Sequence, residues 1–353
     1  MKYLPLIITL LAAVSLHAAV DIVVGQPATA PVSEPFSVNF DAQGVLHGVE
    51  FTKSNRVFRL VDGKVEFIAG APHVADEKNA TEGVGDGSDA MKAVFKGMHD
   101  IAITREGKAL IADSFHNRVR QLDLKTGGVS TLAGTGSGGF SGDGGSAAAA
   151  TFSITICASL SPDQSRLLVA DIGDNRVREI NLATGIVSTV AGSGKKGVPV
   201  DGTAALEAPL GDARAVTQAK DGTVYVLLRG GNSLVAVKDG KVRTVVNAAG
   251  KKGYSGDGGP ARSATMNGPK YVTMDAADNV LICDTENHCV RRYLPSTGKI
   301  ELVAGTSAKA GDKIGVTLSQ TGLRRPHGVR IGPDGKLYIC DSENNRVLRG
   351  DYR

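Results

Sequence analysis

Six regularly spaced positions include most of the side chains in this sequence that could bind a charged ligand. They carry two histidines, one arginine, one lysine and two apolar residues: Phe36, His99, Ile156, Arg214, Lys270 and His327. Arg324 and Arg325 lie just before the last of them. Converging cations attract an anionic group such as a carboxylate or a phosphate. Two histidines could instead bind a metal ion such as zinc, or the whole set could simply hydrate the rim of a channel.

Acidic residues recur at a second position, in four segments that read almost alike: Asp113, Asp171, Asp284 and Asp341. Aspartate in a tight turn accepts hydrogen bonds from nearby backbone amides, so we expect each one to fasten its own hairpin. A ring of metal-binding carboxylates is the alternative. Phe51 and Leu228 take the equivalent place in two further copies, which argues against a complete ring.

Glycine-rich loops, such as S-G-D-G-G at 141–145, carry a third set of acidic residues: Asp86, Asp143, Asp201, Asp257 and Asp312. Carboxylates and backbone carbonyls suit calcium, but each of these loops supplies a single carboxylate. Glycine permits the positive φ that tight turns need. We therefore predict structural turns and no cofactor, with calcium or zinc as the alternative.

All these positions belong to a repeat present in six copies. Two clear copies are GKALIADSFHNRVRQLDLKTGGVSTLAG from Gly107 and SRLLVADIGDNRVREINLATGIVSTVAG from Ser165. One asparagine marks each copy, at intervals of 55 to 62 residues: Asn55, Asn117, Asn175, Asn232, Asn287 and Asn345. Each copy predicts four short strands, such as 100–104, 108–112, 118–123 and 128–132, because β-branched runs alternate with Gly, Asp and Asn turns.

Four-stranded sheets repeated radially form a β-propeller. The predicted fold is therefore all-β, a six-bladed β-propeller of four-stranded antiparallel blades, with residues 19–353 as a single domain. The sixth copy contains only three strands, and AVDIVVG at 19–25 resembles the missing fourth. We predict that residues 20–24 complete the last blade. The first strand of each blade would line the channel, with the six positions described first at one mouth.

The D-x-x-x-N-R-V-R turn, the V-x-T-x-A-G strand and the G-F-S-G-D-G-G loop resemble NHL repeats. The resemblance covers nearly all of residues 19–353, and the glycine-rich linkers are similar to those of bacterial extracellular NHL propellers. It implies a binding platform, although a few related propellers are lyases or hydrolases. Some NHL relatives bind RNA through a basic face. We expect the repeated arginines to bind turn carbonyls and aspartates instead: Arg118, Arg120, Arg176, Arg178 and Arg346.

The first 18 residues read as a secretory signal peptide, because Lys2 precedes an apolar run and small residues follow it. We predict cleavage after Ala18 and a periplasmic or secreted chain without a transmembrane segment; an uncleaved anchor is the alternative. A net charge of +4 is too small to indicate a nucleic-acid partner. The cysteines contain no CxxC pair, and we expect buried free thiols at Cys157, Cys283, Cys289 and Cys340.

The sequence contains no nucleophile elbow, no H-E-x-x-H and no phosphate-binding loop. The prediction is a monomeric, exported, non-catalytic propeller that binds a protein, peptide or glycan through its loop-rich face and channel mouth. The candidate ligand-binding residues are His99, Arg214, Lys270, Arg324, Arg325 and His327, with no catalytic residue and no metal. A metal-dependent lyase or lactonase-type propeller is the alternative, and a structural module of a larger surface assembly is a third reading.

Overall fold

The computed structural model describes residues 20–25, 32–71, 85–87 and 89–352. Within these ranges the strands form six four-stranded antiparallel sheets, and the inner strand of each sheet contacts the inner strands of both neighbours. The sheets therefore close into a ring around a central channel. This confirms the predicted all-β, six-bladed propeller. The predicted signal peptide lies outside the described residues.

The first three blades run from inner to outer strand as follows: blade 1 is β2 (Pro35–Phe40), β3 (Leu46–Glu50), β4 (Val57–Val61) and β5 (Lys64–Ala69); blade 2 is β6 (Met98–Ile103), β7 (Lys108–Asp113), β8 (Arg118–Asp123) and β9 (Val129–Ala133); blade 3 is β10 (Thr155–Leu160), β11 (Arg166–Asp171), β12 (Arg176–Asn181) and β13 (Val187–Ala191). The other three follow the same order: blade 4 is β14 (Ala213–Gln218), β15 (Val224–Leu228), β16 (Ser233–Lys238) and β17 (Lys241–Val246); blade 5 is β18 (Tyr271–Met274), β19 (Val280–Asp284), β20 (Cys289–Leu294) and β21 (Lys299–Ala304); blade 6 is β22 (Gly328–Ile331), β23 (Leu337–Asp341), β24 (Arg346–Gly350) and β1 (Val20–Gly25).

The helices among the described residues are seven 3-10 helices of three residues each, in turns and linkers: Ala90–Lys92, Ser114–His116, Ala147–Ala149, Ala261–Ser263, Thr285–Asn287, Leu318–Gln320 and Ser342–Asn344. No helix in these parts of the chain is long and apolar enough to span a bilayer. All four cysteines are buried, as expected, and are free thiols in the structure.

In four of the six blades a repeated valine and alanine form one buried pair between the two outer strands. Val119 pairs with Ala133 in blade 2, and Val177 pairs with Ala191 in blade 3, all fully buried. Small and branched apolar side chains at fixed positions let flat sheets stack closely around the ring. This repeated pairing explains how the chain packs its blades without a single tryptophan.

The last blade is closed by the N-terminal strand, as predicted. β1 pairs antiparallel with β24, so that the outermost strand of blade 6 comes from the other end of the chain. Val24 is fully buried opposite Val347, and Val20 is also buried. Asp21 and Arg349 form an ion pair of 2.7 Å beside them.

In three of the five glycine-rich loops the aspartate binds a buried arginine of the blade that follows, and Asp86 does so with Arg120. Asp143 Oδ1 accepts a hydrogen bond from Arg178 at 2.7 Å, and Asp257 Oδ1 accepts one from Arg291 at 2.9 Å. Both arginines also donate to backbone carbonyls and are fully buried. A guanidinium offers five donors in a fixed fork, which suits this role. These carboxylates therefore anchor the linkers to the ring.

Candidate functional site

Two side chains hold the residues that precede each inner strand. In blade 2, Asp113 Oδ1 accepts the amide hydrogen of Lys96 at 2.7 Å. Asn55 Oδ1, from blade 1, accepts the amide hydrogen of Gly97, also at 2.7 Å. The second held residue has a positive φ in every blade, which turns the chain toward the channel. The next residue but one, His99 in blade 2, is thereby placed at the channel mouth.

The acidic residue of this arrangement is present in five blades. Asp113, Asp171, Asp284 and Asp341 each accept an amide hydrogen from a residue 17 or 18 positions earlier, just before the inner strand of their own blade. These bonds tie the second strand to the linker before the first, which is a wider role than fastening one hairpin.

The alignment that put Phe51 at the acidic position was wrong. Glu50 occupies it: Glu50 Oε1 accepts the amide hydrogen of Ser33 at 2.7 Å, and Glu50 pairs with Pro35 as Asp113 pairs with Met98. One additional residue between this acid and its asparagine displaced the alignment in blade 1. In blade 4 the corresponding position is occupied by Leu228, so this blade has no acidic residue there, as the sequence indicated.

The asparagine of each repeat joins its blade to the next one. In blade 5 this position belongs to His288 and not to Asn287, so the alignment was one residue out there as well. His288 has a φ of 54°, and its Nδ1 accepts the amide hydrogen of Arg325 at 3.0 Å. Asn287 donates instead to Asp284 and to the carbonyl of Gly253. An imidazole Nδ1 thus replaces an asparagine Oδ1.

The side chains that follow these held residues line one cavity of about 370 Å³ at the channel mouth: Phe36, His99, Ile156, Arg214, Lys270 and His327. In blades 1 to 4 this residue is the extra residue of a β-bulge, and bulges redirect a side chain out of the regular ladder. Arg325 lines the cavity too. Arg324 does not, because it is exposed and contributes only its amide, to Asp341.

Several lining residues were missed by the sequence analysis. Phe51, Phe115, Ile172 and Arg229 follow the second strands of four different blades, and Ile154 precedes an inner strand. Their signal was available: they stand next to repeated positions without being repeated themselves. The D-x-x-x-N turns and the interblade linkers thus contribute side chains to the same cavity.

Arg214 is a buried cation without an ion-pair partner among the described residues. Its side chain is 5% exposed, its Nε is buried without a hydrogen-bond partner, and no carboxylate in the described part of the chain forms an ion pair with it. Burial, followed by repulsion from Arg229, lowers the pKa of the guanidinium to about 9. The charge is nevertheless retained at neutral pH.

The other cations of the cavity have carboxylate partners. Lys270 Nζ lies 2.9 Å from Glu286 Oε1, and Arg325 bridges Glu286 and Glu343 at 2.8 and 2.6 Å. Arg229 pairs with Asp212 at 3.1 Å. Burial lowers the pKa of Lys270 to about 8 against the opposing effect of its carboxylate. Arg214 is therefore the cation of this lining that lacks a contacting carboxylate among the described residues, while Asp100 and Asp212 favour its charged form without forming an ion pair with it.

The two histidines are neutral, and each has a nitrogen that the protein does not use. His99 Nδ1 lies 2.8 Å from the carbonyl oxygen of Gly97, which can only accept, so Nδ1 carries the proton and Nε2 has a free lone pair. Burial lowers the pKa of His99 and of His327 well below the usual histidine range. His327 Nε2 lies 3.4 Å from Lys270 Nζ, while its Nδ1 is buried and unpaired.

An aromatic cluster forms one side of the cavity. Phe36 is stacked between Phe51 and His327, with ring centroids 4.1 and 4.0 Å away. His99 meets Phe51 edge to face at 4.6 Å, and Phe115 lies at the outer edge of the cluster, 5.8 Å from His99. We call Phe36, Phe51, His99, Phe115 and His327 the aromatic wall.

The cavity is blind, because a buried polar layer closes the channel below it. Asp100 is 1% exposed, and its Oδ1 accepts hydrogen bonds from Ser37 Oγ at 2.7 Å and from the Tyr271 hydroxyl at 3.1 Å. Its Oδ2 accepts the amide hydrogen of Ala158 at 3.1 Å. A second cavity of about 280 Å³ lies further along the inner strands, with Arg330 in its lining.

The metal alternative finds no ligand set in the described residues, where no three His, Cys, Asp or Glu side chains are grouped closely enough to hold an ion. His99 and His327 both face the cavity, and the lining around them also contains phenylalanines, cations and two ion-paired carboxylates, Glu34 and Glu343.

Known proteins resemble this chain in sequence over much of its length. The NHL repeat family matches residues 323–349. Protein SUPPRESSOR OF QUENCHING 1, chloroplastic, of Arabidopsis thaliana is 26% identical over 70% of the chain and 24% of its own length. NHL repeat-containing protein 2 of Gallus gallus is 22% identical over 90% of the chain and 46% of its own length. The chain thus spans about a quarter and about half of these relatives.

Solved structures share the fold at low sequence identity. A structural genomics protein of unknown function from Bacteroides thetaiotaomicron has a TM-score of 0.67 at 14% identity, covering 94% of this chain and 74% of that one. An auxiliary nutrient binding protein from the same organism has a TM-score of 0.64 at 14% identity, covering 90% and 69%. A streptogramin B lyase has a TM-score of 0.55 at 12% identity, covering 96% and 100%.

These similarities agree with the geometry of the chain. The matched NHL repeat covers most of blade 6, and its held acid and blade-joining asparagine recur, with Glu50, Leu228 and His288 as variants, around the whole ring. The chain is a six-bladed β-propeller whose sixth blade matches the NHL repeat, and it is similar over most of its length to an NHL repeat-containing protein.

Proposed function

We propose that this propeller is a ligand-binding protein that holds an anionic group of its ligand in the mouth cavity. The observation that carries the proposal is Arg214, a buried guanidinium at the channel mouth with no carboxylate partner in the described chain. A protein, peptide or glycan that carries such a group would rest the remainder of its surface on the surrounding loops. We also propose that the chain is exported, on the basis of its first 18 residues.

Burying a charge without a partner is unfavourable, so an arginine in this position requires a compensating function. A bound anion would supply the missing counter-ion. A buried charge that is already desolvated can form a strong, directional ion pair when the anion enters. The nutrient-binding protein with the same fold is consistent with such a role.

The proposal is tested by calorimetric titration with acetate, benzoate and inorganic phosphate as probes. We expect at least one of them to bind the unmodified protein, and we expect Arg214→Met to weaken that binding at least about tenfold. Arg324→Met is the matched control, because Arg324 is exposed and lies outside the cavity lining. Failure of all three probes to bind, or equal binding by the Arg214→Met protein, contradicts the proposal.

A lyase is the second candidate, and one observation favours it. His99 presents an unprotonated Nε2 in the same cavity as an uncompensated arginine, and a general base beside an anion-binding cation is a common arrangement for proton abstraction. Turnover of a carboxylate ligand that is lost in His99→Gln, with ligand binding retained, would favour the lyase. Stoichiometric zinc or calcium lost in His99→Ala would favour its metal-dependent form.

A further inference from the structure

We infer that the group received by the mouth cavity is an aromatic monoanion: a planar ring against the aromatic wall, with one carboxylate directed to Arg214. This inference rests on the proposed function and adds the chemical class of the ligand. It follows from the order of the blades, the aromatic wall, the charge balance and the cavity volume.

The order of the blades separates the rings from the cations. Because six blades form a closed ring, blade 1 faces blade 4 and blade 2 faces blade 5 across the channel. Phe36 and Phe51 of blade 1 therefore face Arg214 of blade 4, and His99 of blade 2 faces Lys270 of blade 5. Ile154, Ile156 and Ile172 make the lining of blade 3 apolar. The rings and isoleucines are thus concentrated in blades 1 to 3, and the cations in blades 4 to 6. The lining also contains two carboxylates, Glu34 and Glu343, which are ion-paired with Lys53 and Arg325.

The aromatic wall is preformed and offers both ring edges and ring faces. Phe36 is 6% exposed and has both of its faces covered by Phe51 and His327, so it acts as the support of the wall. Phe115 is 42% exposed at the outer edge of the wall. Aromatic pairs in stacked or edge-to-face arrangements stabilise an interface beyond the area that they bury. A planar ring is therefore favoured here over an alkyl chain.

The charge balance favours one negative charge. Lys270, Arg229 and Arg325 are each within ion-pair distance of a carboxylate, so a ligand that approached them would have to compete with Glu286, Asp212 or Glu343. Arg214 alone has no such competitor in the described residues. A carboxylate matches a single guanidinium in charge and shape, whereas a phosphate dianion would retain uncompensated charge.

The volume of the cavity sets the size of the ligand group. A cavity of roughly 150 Å³ is enough for benzene, and this one measures about 370 Å³. It therefore has room for one or two rings with a short acidic substituent, or for the aromatic tip of a larger molecule. Because the layer around Asp100 closes the floor, the ligand must enter from the loop-rich end.

The test compares three probes by calorimetric titration: benzoate, acetate with the same anion and no ring, and benzamide with the same ring and no charge. We expect benzoate to bind about tenfold more tightly than either of the others. Equal affinities for benzoate and acetate would overturn the aromatic assignment. Equal affinities for benzoate and benzamide would overturn the anionic one.

Two phenylalanines with nearly the same exposure provide the matched variants. Phe115 lines the cavity and is 42% exposed, whereas Phe140 is 41% exposed, is not part of the lining and packs on Arg176. Phe115→Ala should weaken benzoate binding about threefold to tenfold and leave acetate binding unchanged. Phe140→Ala should change neither affinity. If Phe115→Ala has no effect while Arg214→Met still abolishes anion binding, the inference fails and the proposed function stands.

Discussion

At the scale of single residues, the repeat explains why residue 214 lies at the channel mouth, but the fold does not require an arginine there. The corresponding residues in the other blades are phenylalanine, isoleucine, lysine and histidine, so no structural requirement selects a guanidinium there. The buried arginines of the blade interfaces are different, because each one binds an aspartate and backbone carbonyls. Arg214 is therefore expected to lower the stability of the empty propeller.

Arg214→Met should raise the free energy of unfolding by about 1–4 kcal/mol, because it removes an uncompensated buried charge and keeps an unbranched side chain of similar length. Arg178→Met is the contrasting variant, since Arg178 is fully buried and bonded to Asp143. It should lower the free energy of unfolding by about 3–5 kcal/mol. Urea unfolding at pH 7 measures both, and a loss of stability in Arg214→Met would contradict the interpretation of Arg214.

Lys270 should make anion binding depend on pH near its pKa of about 8. Above that pH Lys270 is neutral in the empty protein, so binding of an anion must either take up a proton or proceed with less positive charge. We expect the affinity for benzoate to fall severalfold between pH 7 and pH 9. The neighbouring histidines do not titrate in this window, because burial lowers their pKa values well below 6.5.

The control for this pH dependence is Lys270→Met. The fall in affinity should then move to higher pH, toward the pKa of Arg214 at about 9. An affinity that is constant from pH 7 to pH 9 in the unmodified protein would show that Lys270 does not sense the ligand.

The positions of the mouth residues could be predicted from the sequence, but the ion pairs that decide which of them can bind an anion could not. Arg214, Lys270, His99 and His327 could be placed at one level because they occupy one position of a repeat. Their ion-pair partners could not be predicted, since Glu286, which reaches Lys270, occupies a variable position within the repeated D-x-x-x-N turn. Phe115 was missed because it occupies a variable position between the repeated Asp113 and Asn117.

At the scale of elements, the blade interface depends on one left-handed residue in each D-x-x-x-N turn. Asn117 has a φ of 52°. Its side-chain Oδ1 accepts the amide hydrogen of Ile154 at 2.8 Å, and its side-chain Nδ2 donates to the carbonyl of Gly136. Asparagine tolerates this backbone conformation better than most residues. Blade 5 shows that the acceptor matters more than the residue type, because His288 makes the corresponding bond to Arg325.

Asn117→Ala should lower the free energy of unfolding by about 2–3 kcal/mol, because it removes two hydrogen bonds and because alanine lacks the polar side chain that makes the left-handed region tolerable for asparagine. Asn117→Gly removes the same bonds without that backbone strain, so its loss should be about 1 kcal/mol smaller. Urea unfolding of the two variants measures the difference. If both are as stable as the unmodified protein, the asparagine does not join the blades in solution.

At the scale of the whole molecule, the two ends of the described chain meet in one sheet. The fold itself could be predicted from six copies of one pattern, and the closing strand from a copy that lacked its fourth strand. The division of the channel into a mouth cavity, a closed layer and a second cavity could not be predicted from the sequence. It depends on inner-strand residues such as Ser37, Asp100 and Tyr271, which differ from blade to blade.

Closure by β1 should control the stability of the entire ring, because without it blade 6 exposes an unpaired strand edge. Val24 is fully buried and pairs with Val347, so Val24→Asp should strongly lower the melting temperature and promote aggregation. Deletion of residues 20–25 should do the same. Asp21→Ala is the control: it removes only a partly exposed ion pair with Arg349, so it should change the free energy of unfolding by less than about 1 kcal/mol.

Calorimetry and light scattering during heating distinguish the outcomes. If closure holds the ring together, Val24→Asp lowers the melting temperature and scatters light, whereas the Asp21→Ala protein melts like the unmodified one. Benzoate added below the melting temperature should raise the transition of both variants, because β1 belongs to the rim of the ring and contributes no side chain to the mouth cavity. An unchanged melting temperature in Val24→Asp would mean that β24 does not depend on β1 and that the ring stays closed through its inner strands alone.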